Sequence, residues 1–140
     1  MDEKYFNRFK SLKRSLDNLA LSCNENVNSP FVLPATAQNF NLTFDLSWKV
    51  MKELAQNEFG LTEFSTGSPR ETLRTAFSLG LIHDDKWLEM LRVRNTLAHD
   101  YDGEVALKYF ETITTDFFYL MKEFVEQAEG YYDQFGASNT

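Results

Sequence analysis

The sequence has 140 residues, of which 43% are hydrophobic and 25% charged, and its formal net charge is -7. This length and composition are typical of one globular domain and exclude a disordered chain. The acidic charge excludes a general electrostatic attraction to nucleic acid, so contact with RNA would need a local site or a basic partner. The single cysteine, Cys23, excludes an intrachain disulfide and a cysteine-based zinc cluster. We predict no metal and no cofactor.

The chain also lacks signals for export or membrane insertion. Its first residues, 1–4, do not contain the apolar segment of a signal peptide. No apolar run approaches the roughly 18 residues that a membrane-spanning helix needs. We therefore expect a cytoplasmic protein that does not associate with membranes.

Helical periodicity begins near the start of the chain. Apolar residues recur at steps of three and four over residues 2–23, which predicts a first helix with Asp2 as its N-cap. Turn-forming residues at 24–34 predict a loop. A second helix is expected over 35–58, ending at Gly60. Because apolar residues cover about two-thirds of its girth, it should be either the central helix of a bundle or part of a dimer interface.

A third helix has clear signals at both ends. Ser68 is the predicted N-cap, Pro69 takes the first helical position and Glu71 completes a capping box. Gly80 is expected to end the helix in the left-handed conformation.

The remaining pattern predicts a fourth helix that begins near Asp84 or Asp85 and ends near Ala98. A fifth helix is expected over 103–128, with Asp102 as its cap and Gly130 as its end. Residues 131–140 show no period, so we expect a flexible tail. No strand-type alternation occurs. The sequence therefore predicts an all-α fold, an antiparallel up-down bundle of three long and two short helices that forms a single domain over residues 1–130.

Arg94 has an unusual position on the fourth helix. Trp87, Leu91, Arg94 and Ala98 share one narrow arc of the helical wheel, so Arg94 stands where an apolar residue is expected. Because burial of an unpaired guanidinium is costly, Arg94 either holds a phosphate with two hydrogen bonds, or reaches solvent or bonds a helix carboxylate. The pattern leaves both interpretations open.

His99 follows five residues later and shares a different face with Asn95, to which it could hydrogen-bond. On a continuous helix Arg94 and His99 would lie about 140° apart. They meet on one ligand only if the helix ends near Ala98, or if two subunits combine their sites. The helix dipole and Asp100 favour the charged form of His99, which makes it a candidate proton donor. The alternative is a histidine that caps helix carbonyls.

The spacing Arg94-x4-His99-x-Tyr101, with Asn95 directly after the arginine, resembles the motif of HEPN-domain proteins. The wider sequence resembles one branch of them, the nucleotidyltransferase substrate-binding proteins. This resemblance extends over most of the chain and includes the segments Phe40-x3-Phe44-Asp45-Leu46-Ser47-Trp48-Lys49, Gly67-Ser68-Pro69-Arg70-Glu71, Ala76-Phe77, Gly80-Leu81-Ile82 and Trp87-Leu88-Glu89-Met90-Leu91.

The resemblance implies a helical bundle that forms a homodimer around the motif helix, with RNA or a nucleotide in the dimer groove. It also implies a minimal nucleotidyltransferase as the partner in a toxin–antitoxin pair. By the same resemblance Arg94 binds the scissile phosphate of RNA, His99 acts as acid or base, and Asn95 orients them with support from Asp100. Tyr101 matches the tyrosine that partner transferases adenylylate to silence some toxins.

Three hypotheses follow from the sequence. In the first and favoured one, the chain binds a minimal nucleotidyltransferase and serves as its substrate or substrate-binding subunit. In the second, it is a metal-independent endoribonuclease toxin that uses Arg94 and His99. In the third, it is a helical dimer scaffold without catalysis, in which these two residues only tie the dimer together.

Overall fold

The structure, a computed structural model, describes residues 3–61, 67–100 and 103–138. Its elements in chain order are α1 (Glu3–Ser22), α2 (Val32–Asn57), α3 (Pro69–Leu79), α4 (Lys86–Leu97), α5 (Glu104–Thr112), a π-helical turn (Ile113–Phe117) and α6 (Phe118–Ser138). The last three elements, α5, the π-helical turn and α6, follow one another without a break and form one continuous helix. No strand occurs in these ranges, which confirms the predicted all-helical fold.

A cluster of aromatic rings fixes α4 in the bundle. The Trp87 indole is 1% exposed, and its ring centroid lies 6.3 Å from that of Phe44 on α2 and 6.0 Å from that of Phe124 on α6. Rings of this size bury a large apolar area, so this contact contributes strongly to the core. It leaves the face of α4 that carries Arg92 exposed.

The second helix begins earlier than the predicted start at Ala35. It starts at Val32, and Pro34 lies in its first turn. A proline is tolerated there because the amides of the first turn have no partner within the helix. The third helix has the predicted ends: the Ser68 hydroxyl accepts from the Glu71 amide at 3.2 Å, and Gly80 is left-handed with φ 75°.

The π-helical turn lies where this continuous helix contacts residues of the α1 and α2 region. Phe117, in this turn, stacks on Phe40 with ring centroids 5.6 Å apart. The thiol of Cys23 donates to the carbonyl oxygen of Thr114 at 3.2 Å. Burial raises the pKa of the Cys23 thiol, so its protonated form is favoured.

The last helix continues past Gly130 to Ser138, so the predicted end at Gly130 is wrong. In the stretch predicted as a flexible tail, Tyr132 is 2% exposed and stacks on Phe9 of α1 with ring centroids 4.1 Å apart. The predicted caps Asp2 and Asp102 lie outside the described residues. Within the described ranges, no helix is both long enough and apolar enough to cross a membrane.

Candidate functional site

The end of α4 agrees with the prediction. The helix ends at Leu97, with Ala98 as its C-cap. Beyond it, the amide of His99 donates to the Thr96 carbonyl at 3.1 Å, and the amide of Asp100 donates to the Leu97 carbonyl at 3.2 Å. His99 is therefore placed just after the helix, where the chain turns towards α5.

The Arg94 guanidinium bonds a carboxylate on a neighbouring helix. Its Nη2 lies 2.9 Å from Oδ1 and 3.0 Å from Oδ2 of Asp45, on α2. Its Nη1 donates to Oδ1 of Asn95 at 2.9 Å, and the indole Nε1 of Trp48 also donates to Asp45, at 3.4 Å. Of the two interpretations of Arg94, the one in which it bonds a helix carboxylate agrees with the structure of the single chain. Asn95 bonds Arg94.

His99 lies at a groove on the surface. The groove has a volume of about 530 Å³ and lies where α3, α4 and the start of α5 meet. We call this the His99 groove, and its lining side chains are Arg70, Arg92, Asn95, Thr96, His99 and Val105. Arg94 is not one of these lining residues, but its guanidinium bonds Asn95, which is.

Two arginines of the His99 groove, Arg70 and Arg92, were not among the predicted site residues. Arg70 lies in the first turn of α3, and Arg92 lies on α4. The spacing Arg92, Thr96 and His99 contains a detectable signal, since residues four and seven apart share a helical face. The position of Arg70 at the groove depends on how α3 packs against the other helices, and a local sequence pattern does not show this packing.

The groove edge holds Arg92 between two side chains. Its Nη2 lies 3.4 Å from the hydroxyl oxygen of Tyr109 on α5 and 3.8 Å from Oε1 of Glu89. The bond that Arg92 donates lowers the pKa of Tyr109, and the same bond raises the pKa of Arg92. Within residues 3–61, 67–100 and 103–138, no group of three or more His, Cys, Asp or Glu residues could hold a metal ion.

Asp100 closes the connection between α4 and α5. Its Oδ1 accepts from the amide of Val105 at 3.0 Å, and its Oδ2 accepts from the amide of Ala106 at 2.9 Å. Two of the first amides of α5, which have no partner within the helix, are satisfied in this way. Asp100 is therefore a cap for α5, a role that was predicted for Asp102. Tyr101, the predicted modification site, lies outside the described residues.

This cap makes a testable contribution to stability. Asp100→Ala leaves two amides of α5 without a partner, so we expect the free energy of unfolding to fall by about 1–2 kcal/mol. Asp100→Asn keeps one carbonyl oxygen as an acceptor and should lose less. The control is Asp116→Ala, which removes only a surface ion pair with Lys86 at 3.5 Å and should change stability by less than about 0.5 kcal/mol. Urea unfolding followed by circular dichroism measures all three, and equal losses for Asp100→Ala and Asp116→Ala would contradict the cap.

Comparison with known families places the chain. The model of a family described as "Nucleotidyltransferase substrate binding protein like" matches residues 7–130. The chain belongs to this family. The resemblance to the HEPN-like, nucleotidyltransferase substrate-binding branch, stated above from its motifs, is thereby confirmed. The range matched by the nucleotidyltransferase substrate-binding family includes every lining residue of the His99 groove and both residues of the Arg94–Asp45 pair.

A relative from Haemophilus influenzae carries the name "Probable ribonuclease HepT". It is 31% identical over 84 residues, a stretch that covers 59% of this chain and 58% of the relative. The chain therefore spans little more than half of that relative's length.

Proposed function

We propose that this chain is the partner subunit of a minimal nucleotidyltransferase in a cytoplasmic toxin–antitoxin pair, and that it works as a homodimer. The chain binds the transferase and serves as its substrate or as its substrate-binding subunit. The observation that carries this proposal is the match of residues 7–130 to the nucleotidyltransferase substrate-binding family. Arg94 is bonded to Asp45, while the groove beside His99 is open to a ligand.

The bond between Arg94 and Asp45 favours binding over catalysis by a single chain. Cleavage of a phosphodiester by Arg94 and His99 requires both side chains at the same phosphate, within hydrogen-bond reach of the reacting atoms. In this chain the Arg94 guanidinium is already bonded to the Asp45 carboxylate and to Asn95, and His99 lines the groove. A subunit that only binds needs an accessible surface, and the groove supplies one.

The alternative function is a metal-independent endoribonuclease, and the name of the Haemophilus influenzae relative favours it. In that case Arg94 binds the scissile phosphate and His99 acts as acid or base. Arg94 would have to leave Asp45, or a second subunit would have to supply the missing half of the site.

The proposal also assigns a chemical role to Tyr101. The phenolic oxygen of Tyr101 attacks the α-phosphorus of ATP and loses its proton, and the bond from that phosphorus to pyrophosphate breaks. AMP then remains attached to Tyr101 and pyrophosphate leaves. The transferase supplies the catalytic groups for this reaction.

Co-expression with a minimal nucleotidyltransferase encoded beside the chain tests the proposal. We expect the two proteins to co-purify, and we expect incubation with ATP to add the mass of AMP to the wild-type chain. Tyr101→Phe is the matched control, because it removes only the hydroxyl that accepts the nucleotide. The absence of both a complex and an adduct would contradict the proposal.

The same preparations distinguish the ribonuclease alternative. RNA is incubated with the isolated chain in EDTA, alongside the His99→Ala and Arg94→Ala variants. Cleavage by the wild-type protein that both variants lose would support the endoribonuclease. We expect no cleavage by the isolated wild-type chain.

A further inference from the structure

The His99 groove carries positive charge in an acidic protein. Arg70 and Arg92 both line it and both are exposed, so a ligand can reach their guanidinium groups from solvent. Glu89 is 3.8 Å from Arg92, and Asp100 is occupied by two amides of α5. Among the described residues, the groove lining contains two arginines and no aspartate or glutamate, in a chain whose formal net charge is -7.

The helices place these groups around one space. Arg92 lies on α4, His99 follows just after the end of that helix, and Arg70 comes from the first turn of α3. Asn95 accepts from Arg94 through its Oδ1, which leaves its amide N–H groups as donors for a ligand. The groove volume of about 530 Å³ is within the range of sites that hold small organic ligands.

We infer that the His99 groove binds a phosphate group through Arg70 and Arg92, with His99 in contact with the same phosphate. This inference rests on the proposed function as a binding subunit, and it assigns phosphate binding to Arg70 and Arg92 instead of Arg94. A planar guanidinium presents parallel N–H donors that match two phosphate oxygens. The ligand is a nucleotide or an RNA strand, which share this phosphate chemistry.

Tyr109 adds order to this site. Its hydroxyl oxygen accepts from Arg92, and its ring lies 5.8 Å below the guanidinium carbon. A side chain that is already restrained loses less conformational entropy when it binds. Arg92 is therefore better prepared for an anion than a freely moving surface arginine.

The two histidines of the chain allow a direct test. His99 lines the groove, whereas His83 is an exposed residue between α3 and α4 that does not line it. NMR spectra of the imidazole carbon-bound protons are recorded during titrations with ATP, AMP, inorganic phosphate and a short single-stranded RNA. His83→Gln assigns the two signals. We expect a saturable shift of the His99 signal, with the His83 signal unchanged.

Arginine variants show whether the predicted side chains hold the phosphate. Loss of a hydrogen bond to a charged group weakens binding by about tenfold or more. We therefore expect Arg70→Gln and Arg92→Gln each to weaken phosphate binding by at least this factor. Arg14→Gln is the matched control, because it removes the same charge from an exposed position on α1 outside the groove. It should bind as the wild-type protein does.

The probes separate the two sources of phosphate. Saturation by ATP or AMP alone supports a free nucleotide as the ligand, and saturation by RNA alone supports a nucleic acid strand. For RNA, log affinity decreases as log salt increases, and the magnitude of this slope should become smaller by about 0.7 for each arginine removed.

Three results would overturn the inference: no saturable His99 shift at millimolar concentrations of any probe, equal shifts of both histidines, or equal binding by all three arginine variants. Since the titration uses the chain alone, its failure would leave co-purification with the transferase intact. A failed co-purification would likewise leave the titration result unchanged.

Discussion

Trp87→Ala is expected to lower the free energy of unfolding by about 3–5 kcal/mol, because removal of a buried aromatic side chain leaves a cavity that the core fills only in part. Trp87 is 1% exposed and lies between Phe44 and Phe124. It also holds α4 in place, so its loss should disturb the His99 groove together with the core. Urea unfolding followed by circular dichroism measures the change.

Two variants control for other effects of this substitution. Trp87→Phe keeps an aromatic ring next to Phe44 and Phe124, so we expect a smaller loss than for alanine. Leu107→Ala removes an apolar side chain that is 58% exposed on α5, and it should change stability by less than about 0.5 kcal/mol. A loss below about 1 kcal/mol for Trp87→Ala would show that this ring does not fix α4.

Tyr132→Ala should also cost about 3–5 kcal/mol, although this residue lies in the stretch that was predicted to be a flexible tail. Its ring is 2% exposed and stacks on Phe9 at 4.1 Å. Tyr119→Ala is the matched control, because the Tyr119 side chain, on the same helix, is 62% exposed. Thermal and urea unfolding of both variants provide the comparison. Equal stability of the two would mean that residues beyond Gly130 do not contribute to the core.

The sequence was informative where a few neighbouring residues decide the conformation. Ser68, Pro69 and Gly80 act through their own backbone angles and hydrogen bonds, so the ends of α3 were predicted correctly. The end of α4 near Ala98 was correct for the same reason. The all-helical fold followed from apolar periodicity, which records the buried face of each helix.

Contacts between distant residues were not accessible in this way. Gly130 suggested a helix end, but the contact between Tyr132 and Phe9, at opposite ends of the chain, stabilises the additional turns. Local propensity gives way to tertiary packing in such a case. The start of α2 before Pro34 has a local cause instead, because a proline is tolerated in the first turn of a helix.

The site shows the same division. The helical wheel placed Arg94 among apolar residues and showed that it needs a partner, but the partner, Asp45, lies on another helix. The wheel also placed Arg94 and His99 on different faces, and it did not show that Asn95, which bonds Arg94, lines the same groove as His99. Asp100 was assigned to His99 because it is adjacent in sequence, whereas its carboxylate reaches the start of α5.

The two faces of α4 have a consequence for how this family changes over time. Arg92, Asn95 and Thr96 are exposed and contribute little to the core, whereas the buried residues of α4 are Trp87, Met90, Leu91, Val93 and Leu97. Exposed positions tolerate substitution with stability changes within about 0.5 kcal/mol. Relatives can therefore diverge in the groove, and acquire different ligand preferences, without first gaining a stabilising mutation elsewhere. A drift of specificity on a constant scaffold is the evolutionary pattern that this helix permits.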